Sequence, residues 1–328
     1  MIYPKFLQKG DIIGVTAPSA GVTGEKIQEL EDSERGLRAQ GYRVIETANV
    51  RRGGAVSSPA QTRAAELGQL VQTEEVRLIL SARGGDFLVD MLPHVDFAAI
   101  AAHPKWLQGY SDPTSLLYAV TTNLDIATIY GGNSCGFAPE NTHESVRNNL
   151  AVWRGDIPSQ RSFPLHEGKW ADNPAEAGLT EPVYWQTPNG PVDVTGRLLG
   201  GCLDCFPDFL GTRFDGTPGF LERYGRDGVL WYFDVFSLSA EAVYRGLWHL
   251  RELGYFQNAR GFLFGRVLFP RSDTGLGYEE AIRGIVGDAP LVLDADVGHV
   301  KPQMTLINGA AARLQSRDGR GILEQFLR

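Results

Sequence analysis

A serine at residue 111 stands between a hydrophobic run and an amphipathic one, in the stretch Gly109-Tyr110-Ser111-Asp112-Pro113. Lys105 to Gly109 reads as a short strand, and Thr114 to Val120 continues in a helical pattern. Pro113 fits the first turn of that helix, where its missing N–H costs nothing. Asp112 occupies the place of an N-cap, whose side chain accepts free amides of the first turn. Ser111 is thereby aimed at a helix N-terminus, where exposed N–H groups and the helix dipole favour negative charge. A nucleophilic serine needs that setting, because attack on an acyl carbon creates an oxyanion that must find donors. Position alone does not separate this role from simple capping, the commoner job of a serine before a helix.

Two residues of the second half carry complementary chemistry. Asp234 lies inside the otherwise apolar run Leu230-Trp231-Tyr232-Phe233-Asp234-Val235, and a carboxylate in such surroundings is costly unless paired; a place at the strand end, capping the next helix, is its other reading. His299 follows Asp294-Ala295-Asp296-Val297-Gly298 just beyond another strand, the most site-like position among the six histidines. Serine, acid and histidine thus occur in an order that a catalytic triad can take, since triads are recognised by roles and not by spacing. Cys202-Leu203-Asp204-Cys205 has the spacing of a redox motif or half a zinc site, but no second pair completes four ligands, and no metal is expected there.

The elements around these residues alternate. Strands are expected over Asp11–Ala17, Tyr42–Glu46, Val76–Ser81, Lys105–Gly109 and Ala127–Tyr130, with helices over Glu25–Gln40 and Pro59–Glu75 between them. Such alternation implies a parallel sheet covered by helices, with ligands at the carboxyl ends of the strands. The loops Ala17–Gly21, Arg83–Gly85, Ser111–Asp112 and Gly131–Asn133 should therefore converge on one edge. Six prolines between residues 158 and 191 mark a linker or long loop carrying Trp170 and Trp185, which dock it onto the body or contact substrate. Further strands are expected over Val192–Leu199, Val229–Val235, Gly261–Val267 and Leu291–Val297, with a helix over Ala240–Leu253 capped by Ser239. Thr305–Leu314 and Gly321–Phe326 flank Ser316-Arg-Asp-Gly-Arg320, a hairpin signal. The expected division is a domain over 1–155, a linker over 156–190 and a second domain over 191–328.

Bulk properties narrow the partners. The chain has 328 residues, 43% of them hydrophobic, enough for a sizeable core, and a net charge of −8 with no basic run. Nucleic acid polymers and anionic membrane surfaces are therefore not expected partners. No signal-peptide pattern opens the chain and no apolar run reaches membrane-spanning length. Three cysteines, an odd number, do not make a disulfide framework and agree with a cytoplasmic protein. Neither a G-x-G-x-x-G after a strand nor a phosphate loop is present, so no nucleotide cofactor is expected.

Taken in order, Leu7-Gln-Lys-Gly-Asp-Ile-Ile-Gly-Val-Thr-Ala-Pro-Ser19, Arg83-Gly84-Gly85, Gly109-Tyr110-Ser111-Asp112, Gly196-Arg197-Leu198-Leu199-Gly200-Gly201 and Gly298-His299 resemble the motifs of the LD-carboxypeptidase family of serine peptidases. That family contains muramoyltetrapeptide carboxypeptidases and microcin C immunity peptidases. The resemblance implies an α/β fold: a flavodoxin-like N-terminal domain carrying the nucleophile and a C-terminal β/α domain carrying acid and histidine. It further implies an active site between the domains and a homodimer. By position, Ser111 is the nucleophile, His299 the base and Asp234 the acid, with the backbone amides of Gly85 and Asp112 as oxyanion hole. Gly84 and Trp185 are the expected substrate-binding residues. The implied activity is cofactor-independent hydrolysis, through an acyl-enzyme, of a small peptide-like substrate: a murein tetrapeptide or a peptidyl- or aminoacyl-nucleotide.

Two departures stand out. The family acid is usually glutamate, so the shorter Asp234 orients histidine only if the backbone approaches closer. The Arg83–Phe87 segment lacks the Gly-Tyr-Gly continuation of murein-trimming members, and the Trp-bearing loop resembles the immunity branch. The alternative expectation is a catalytically weakened binding or sensing module on the same fold.

Overall fold

Five β-rich runs separated by helices form one parallel sheet in the first half of the chain. In order these are β1 (Ile12–Thr16), α1 (Lys26–Ala39), β2 (Arg43–Glu46), α2 (Ala60–Gln72), β3 (Val76–Ser81), α3 (Phe97–Ala102), β4 (Trp106–Gly109), α4 (Thr114–Leu124), β5 (Thr128–Tyr130) and α5 (Glu144–Arg154). The computed structural model describes residues 1–168 and 178–328; Trp170 and Pro174 lie outside the described residues. The strand order is β2-β1-β3-β4-β5, with every one of these neighbours parallel. This is the flavodoxin-like order, in which successive helices cover both faces. β1, β4 and β5 are buried along their whole length, as both-face coverage demands.

Two compact units divide the chain: Met1–Ile157 with Thr305–Gly309, and Pro158–Met304 with Ala310–Arg328. The second begins with β6 (Gln160–Arg161), β7 (Leu165–Glu167) and β8 (Leu179–Pro182), then β9 (Val192–Cys202), α6 (Phe206–Phe209) and α7 (Thr217–Tyr224). It continues through β10 (Val229–Asp234), α8 (Ala240–Glu252), β11 (Ala259–Gly265), α9 (Tyr278–Val286) and β12 (Leu291–Ala295). β13 (Leu306–Asn308) belongs to the first unit, where it runs antiparallel to β5. β14 (Ala311–Arg317) and β15 (Arg320–Phe326) close the chain. The second sheet has the order β12-β11-β10-β9-β14-β15-β6, with β9 to β12 parallel and the rest antiparallel.

Three expectations about this region are corrected. Among its described residues, the stretch expected to be a linker or long loop contains strands: β6 pairs with β15, and β7 pairs with β8 in a small sheet of their own. Thr305–Leu314, expected as one strand, is split at Gly309, whose φ of 84° breaks the extended backbone and separates β13 from β14. Trp185 is not available to a substrate. Its ring is 0% exposed, its indole N–H donates to Asp296 Oδ2 at 3.0 Å, and it packs on Gly321, where any Cβ would overlap the ring. The alternation of an extended segment turns its neighbour Tyr184 outward instead, 63% exposed.

Asp296 is the buried anchor of this unit. Its carboxylate accepts from Arg266 at 2.8 Å and from the Phe163 amide at 3.0 Å as well as from Trp185. Burial pushes its carboxyl up, and the Arg266 guanidinium opposes that shift. Asp296→Ala should lower stability by about 3–5 kcal/mol, because it strands a buried guanidinium. Chemical denaturation checks this; a loss below about 1 kcal/mol would contradict the anchoring role.

Candidate functional site

Ser111 sits at a φ of 69°, left-handed backbone that a non-glycine residue rarely adopts. The turn follows from the sharp passage of β4 into α4 and sets Ser111 at the helix N-terminus. The carbonyl of Ser111 accepts from the Thr114 amide at 2.9 Å, and that of Asp112 from Ser115 at 3.3 Å. The Asp112 side chain does not cap this helix, contrary to the sequence-based expectation. Its carboxylate accepts instead from the Ser19 hydroxyl and from the Leu88 amide, the latter at 2.9 Å. Burial pushes the Asp112 carboxyl up, while the bonds from Ser19, Leu88 and Phe87 favour its ionised form.

That carboxylate ties three loops together. Ser19 belongs to the loop after β1, Leu88 follows the Gly84–Gly85 segment after β3, and Asp112 follows β4. The Ala20 amide also donates to the Gly84 carbonyl at 3.3 Å. A Cβ on Gly84 would stand 2.9 Å from both Cβ and Oγ of Ser111, so the missing side chain admits the serine. A Cβ on Gly85 would overlap the Ser19 hydroxyl. From the loop after β5, Asn133 Oδ1 accepts from the Tyr110 amide at 3.2 Å, and the Tyr130 hydroxyl accepts from the Ser111 amide at 3.5 Å. The four loops expected to converge do so. Ser19, Tyr130 and Asn133 were not singled out, although each stands at or just after the end of a strand of that sheet.

The second unit holds an acid–imidazole pair. Asp234 is the last residue of β10 and is 0% exposed; His299 is 7% exposed. His299 Nδ1 lies 2.6 Å from Asp234 Oδ2, and the His299 amide donates to Asp234 Oδ1 at 3.2 Å. Two bonds to one carboxylate fix both ring and backbone of the histidine. Gly298 makes this possible. Its φ is 90°, and a Cβ there would overlap the Asp234 carboxylate. The backbone approach that a shorter acid requires is therefore present, and the capping reading of Asp234 gives way to pairing.

Neighbours complete this pair. Phe236 lies against the imidazole with ring centroids 4.5 Å apart. Asp204 accepts from the Phe236 amide at 2.9 Å and the Ser237 amide at 2.8 Å, holding the turn after β10. Val235 and Val300, adjoining the pair in sequence, face a cavity of about 640 Å³ also lined by His166, Tyr184, Arg266 and Tyr278. Tyr184, not Trp185, supplies its aromatic wall from the former linker.

Comparisons with known proteins agree with the sequence motifs. Residues 13–131 match the LD-carboxypeptidase N-terminal domain and residues 195–314 the LD-carboxypeptidase C-terminal domain. A Vibrio cholerae protein named as a carboxypeptidase is 27% identical over 93% of this chain and 92% of its own. The microcin C7 self-immunity protein of Escherichia coli is 26% identical over 98% of this chain and 95% of its own. A structure of that immunity protein with glutamyl sulfamoyl guanosine superposes with a TM-score of 0.82 at 20% identity, covering 99% and 98% of the two chains. The muramoyltetrapeptide carboxypeptidase of Oxalobacter formigenes gives 0.74 at 21%, covering 96% and 99%.

Gly298→Ala tests the close approach. The substitution forces alanine into left-handed backbone and into the Asp234 carboxylate, so stability should fall by about 2–4 kcal/mol. Thermal unfolding reads the loss, and a stable Gly298→Ala protein would contradict the described contact.

Proposed function

The chain belongs to the LD-carboxypeptidase family and is a carboxypeptidase-type hydrolase; from that premise we propose that it cleaves an amide bond in a small peptide-like substrate through an acyl-enzyme on Ser111. The observation that carries this reading is the buried 2.6 Å contact between Asp234 and His299. A carboxylate on Nδ1 holds that nitrogen as the N–H and leaves Nε2 as an acceptor, the tautomer a general base needs.

In this mechanism Nε2 of His299 takes the Ser111 hydroxyl proton as the oxygen attacks the substrate carbonyl. Asp234 stabilises the imidazolium that forms and keeps its own charge. The new oxyanion accepts from the backbone amides of Gly85 and Asp112. Collapse breaks the C–N bond, and the amine leaves with the proton from Nε2. Water then attacks the acyl-serine with His299 again as base, which restores the enzyme.

Two substrate classes fit the reading. One is a murein tetrapeptide that loses its terminal D-alanine. The other is an aminoacyl- or peptidyl-nucleotide. They are supported by the muramoyltetrapeptide carboxypeptidase and by the immunity protein seen with glutamyl sulfamoyl guanosine. The 640 Å³ cavity lined by Val235 and Val300, the chain neighbours of Asp234 and His299, is of the size that takes small ligands, and the missing side chain of Gly84 leaves room for Ser111. The proposal includes a cytoplasmic location, with which the cysteine usage agrees, and a homodimer, as the family resemblance implies.

The test is parallel incubation with a murein tetrapeptide and a peptidyl-adenylate, with products read by mass spectrometry. One of them should be cleaved, and Ser111→Ala should abolish both cleavage and labelling by a fluorophosphonate. Asp234→Asn should reduce kcat by about 10⁴-fold, the cost of the wrong tautomer. Cleavage of neither compound and no labelling would contradict the proposal; retained ligand binding without turnover would favour a binding or sensing module.

A further inference from the structure

Cys202 belongs to the one sequence motif that the proposed mechanism leaves unused. It is the last residue of β9 and lies in parallel register with Asp234, the last residue of β10. Parallel neighbours place their side chains on the same face about 4.8 Å apart. The loop after β12 brings His299 onto the same carboxylate. Thiol sulfur, carboxylate oxygen and imidazole nitrogen consequently lie within 4.8 Å of one another, all three residues buried. Among the described residues they are the group of histidine, cysteine and acidic side chains whose donor atoms converge in this way.

We propose that Cys202, Asp234 and His299 form a binding site for a borderline-soft divalent cation of the zinc type, and that occupation shuts the hydrolase down. The donor set is the argument. Thiolate, imidazole and carboxylate are the three protein ligands that Zn²⁺ takes, and three of them with an open fourth position is a usual arrangement. Bonds of about 2.0–2.3 Å put tetrahedral donors roughly 3.3–3.8 Å apart, so side-chain movements of about 1 Å or less close these donors on an ion. The cation completes its set from Cys202 and not from a second cysteine pair, so the absence of that pair does not count against this site.

Uptake replaces protons. The Cys202 thiol loses its proton to solvent and becomes the sulfur ligand. The cation takes the place of the hydrogen between His299 Nδ1 and Asp234, and the imidazole proton moves to Nε2. Nε2 then carries a hydrogen and cannot accept the Ser111 proton. Without the cation the Cys202 thiol donates to Asp204 Oδ2 at 3.7 Å, and the acid–imidazole pair keeps its own 2.6 Å contact. The site is inhibitory and reversible on this account, and only the inhibition rests on the proposed serine mechanism.

The experiment titrates the full chain, stripped with a chelator, with Co²⁺. One ion per chain should bind with a thiolate-to-cobalt charge-transfer band in the near ultraviolet and with visible bands of tetrahedral cobalt, displaced by Zn²⁺. Cys202→Ala should abolish the charge-transfer band, whereas Cys135→Ala should keep it. His299→Gln retains the thiol and should weaken uptake at least 10-fold, which covers the case that Cys202→Ala fails to fold. No charge-transfer band, or one that survives in Cys202→Ala, would overturn the site. Zn²⁺ should also slow fluorophosphonate labelling of Ser111 at least 10-fold, with recovery on adding EDTA. A cobalt spectrum without slowed labelling would overturn the inhibitory role alone, and absent labelling in metal-free protein would count against the serine mechanism instead.

Discussion

The contact between the Asp234 carboxylate and the backbone of Gly298-His299 is the constraint on which the acid–imidazole pair of the second unit depends. A carboxylate with no exposure to water must be matched by donors. Here the donors are the His299 ring and the His299 amide, so burial and orientation are one arrangement. The shortness of aspartate is absorbed by a residue with no Cβ, held at a φ that other residues resist. A larger residue at 298 and a longer acid at 234 would compete for the same space. The exchange of glutamate for aspartate is thus compatible with a positioned imidazole.

The first unit solves a parallel problem by different means. A serine that is to be a nucleophile must be exposed to an acyl group and surrounded by donors. The turn between β4 and α4 accomplishes this with one strained residue, Ser111, and the strain is held by the loops around it. Asp112 is central to that restraint. Instead of capping its own helix it gathers Ser19 and Leu88, so one buried carboxylate fixes the segments before and after Gly84 and Gly85. Tyr110 is pinned by Asn133 on the other side. Side chains outside the nucleophile thus define the space in front of it.

Much of this was legible in the residue order. Strands β1 to β5 and the helix after Ser111 follow from periodicity and capping residues, and the acid within one apolar run and the histidine just past another stand out as polar exceptions. Ser239 caps α8 as expected, its hydroxyl accepting from the Ala242 amide. What was not legible depended on tertiary partners. The prolines of 158–191 suggested a linker because proline breaks ladders, yet short edge strands tolerate them, and β6 joins the sheet at its rim. Trp185, in a proline-rich stretch, could either dock onto the body or contact a ligand; only the distant Asp296 decides for docking. Asp112 looked like a cap because local sequence cannot show that Ser19 and Leu88 compete for it. The split of the run Thr305–Leu314 between two sheets likewise has no local signal beyond Gly309.

The central claim is that Asp234 holds His299 in the tautomer with hydrogen on Nδ1, which leaves Nε2 to act as base. Proton NMR of the protein with ¹⁵N-labelled histidine measures this directly. The expected result is a far-downfield proton bonded to Nδ1 of His299, present in the wild type and absent in Asp234→Ala. A His299 ring that carries its proton on Nε2, or a downfield signal unchanged in Asp234→Ala, would contradict it.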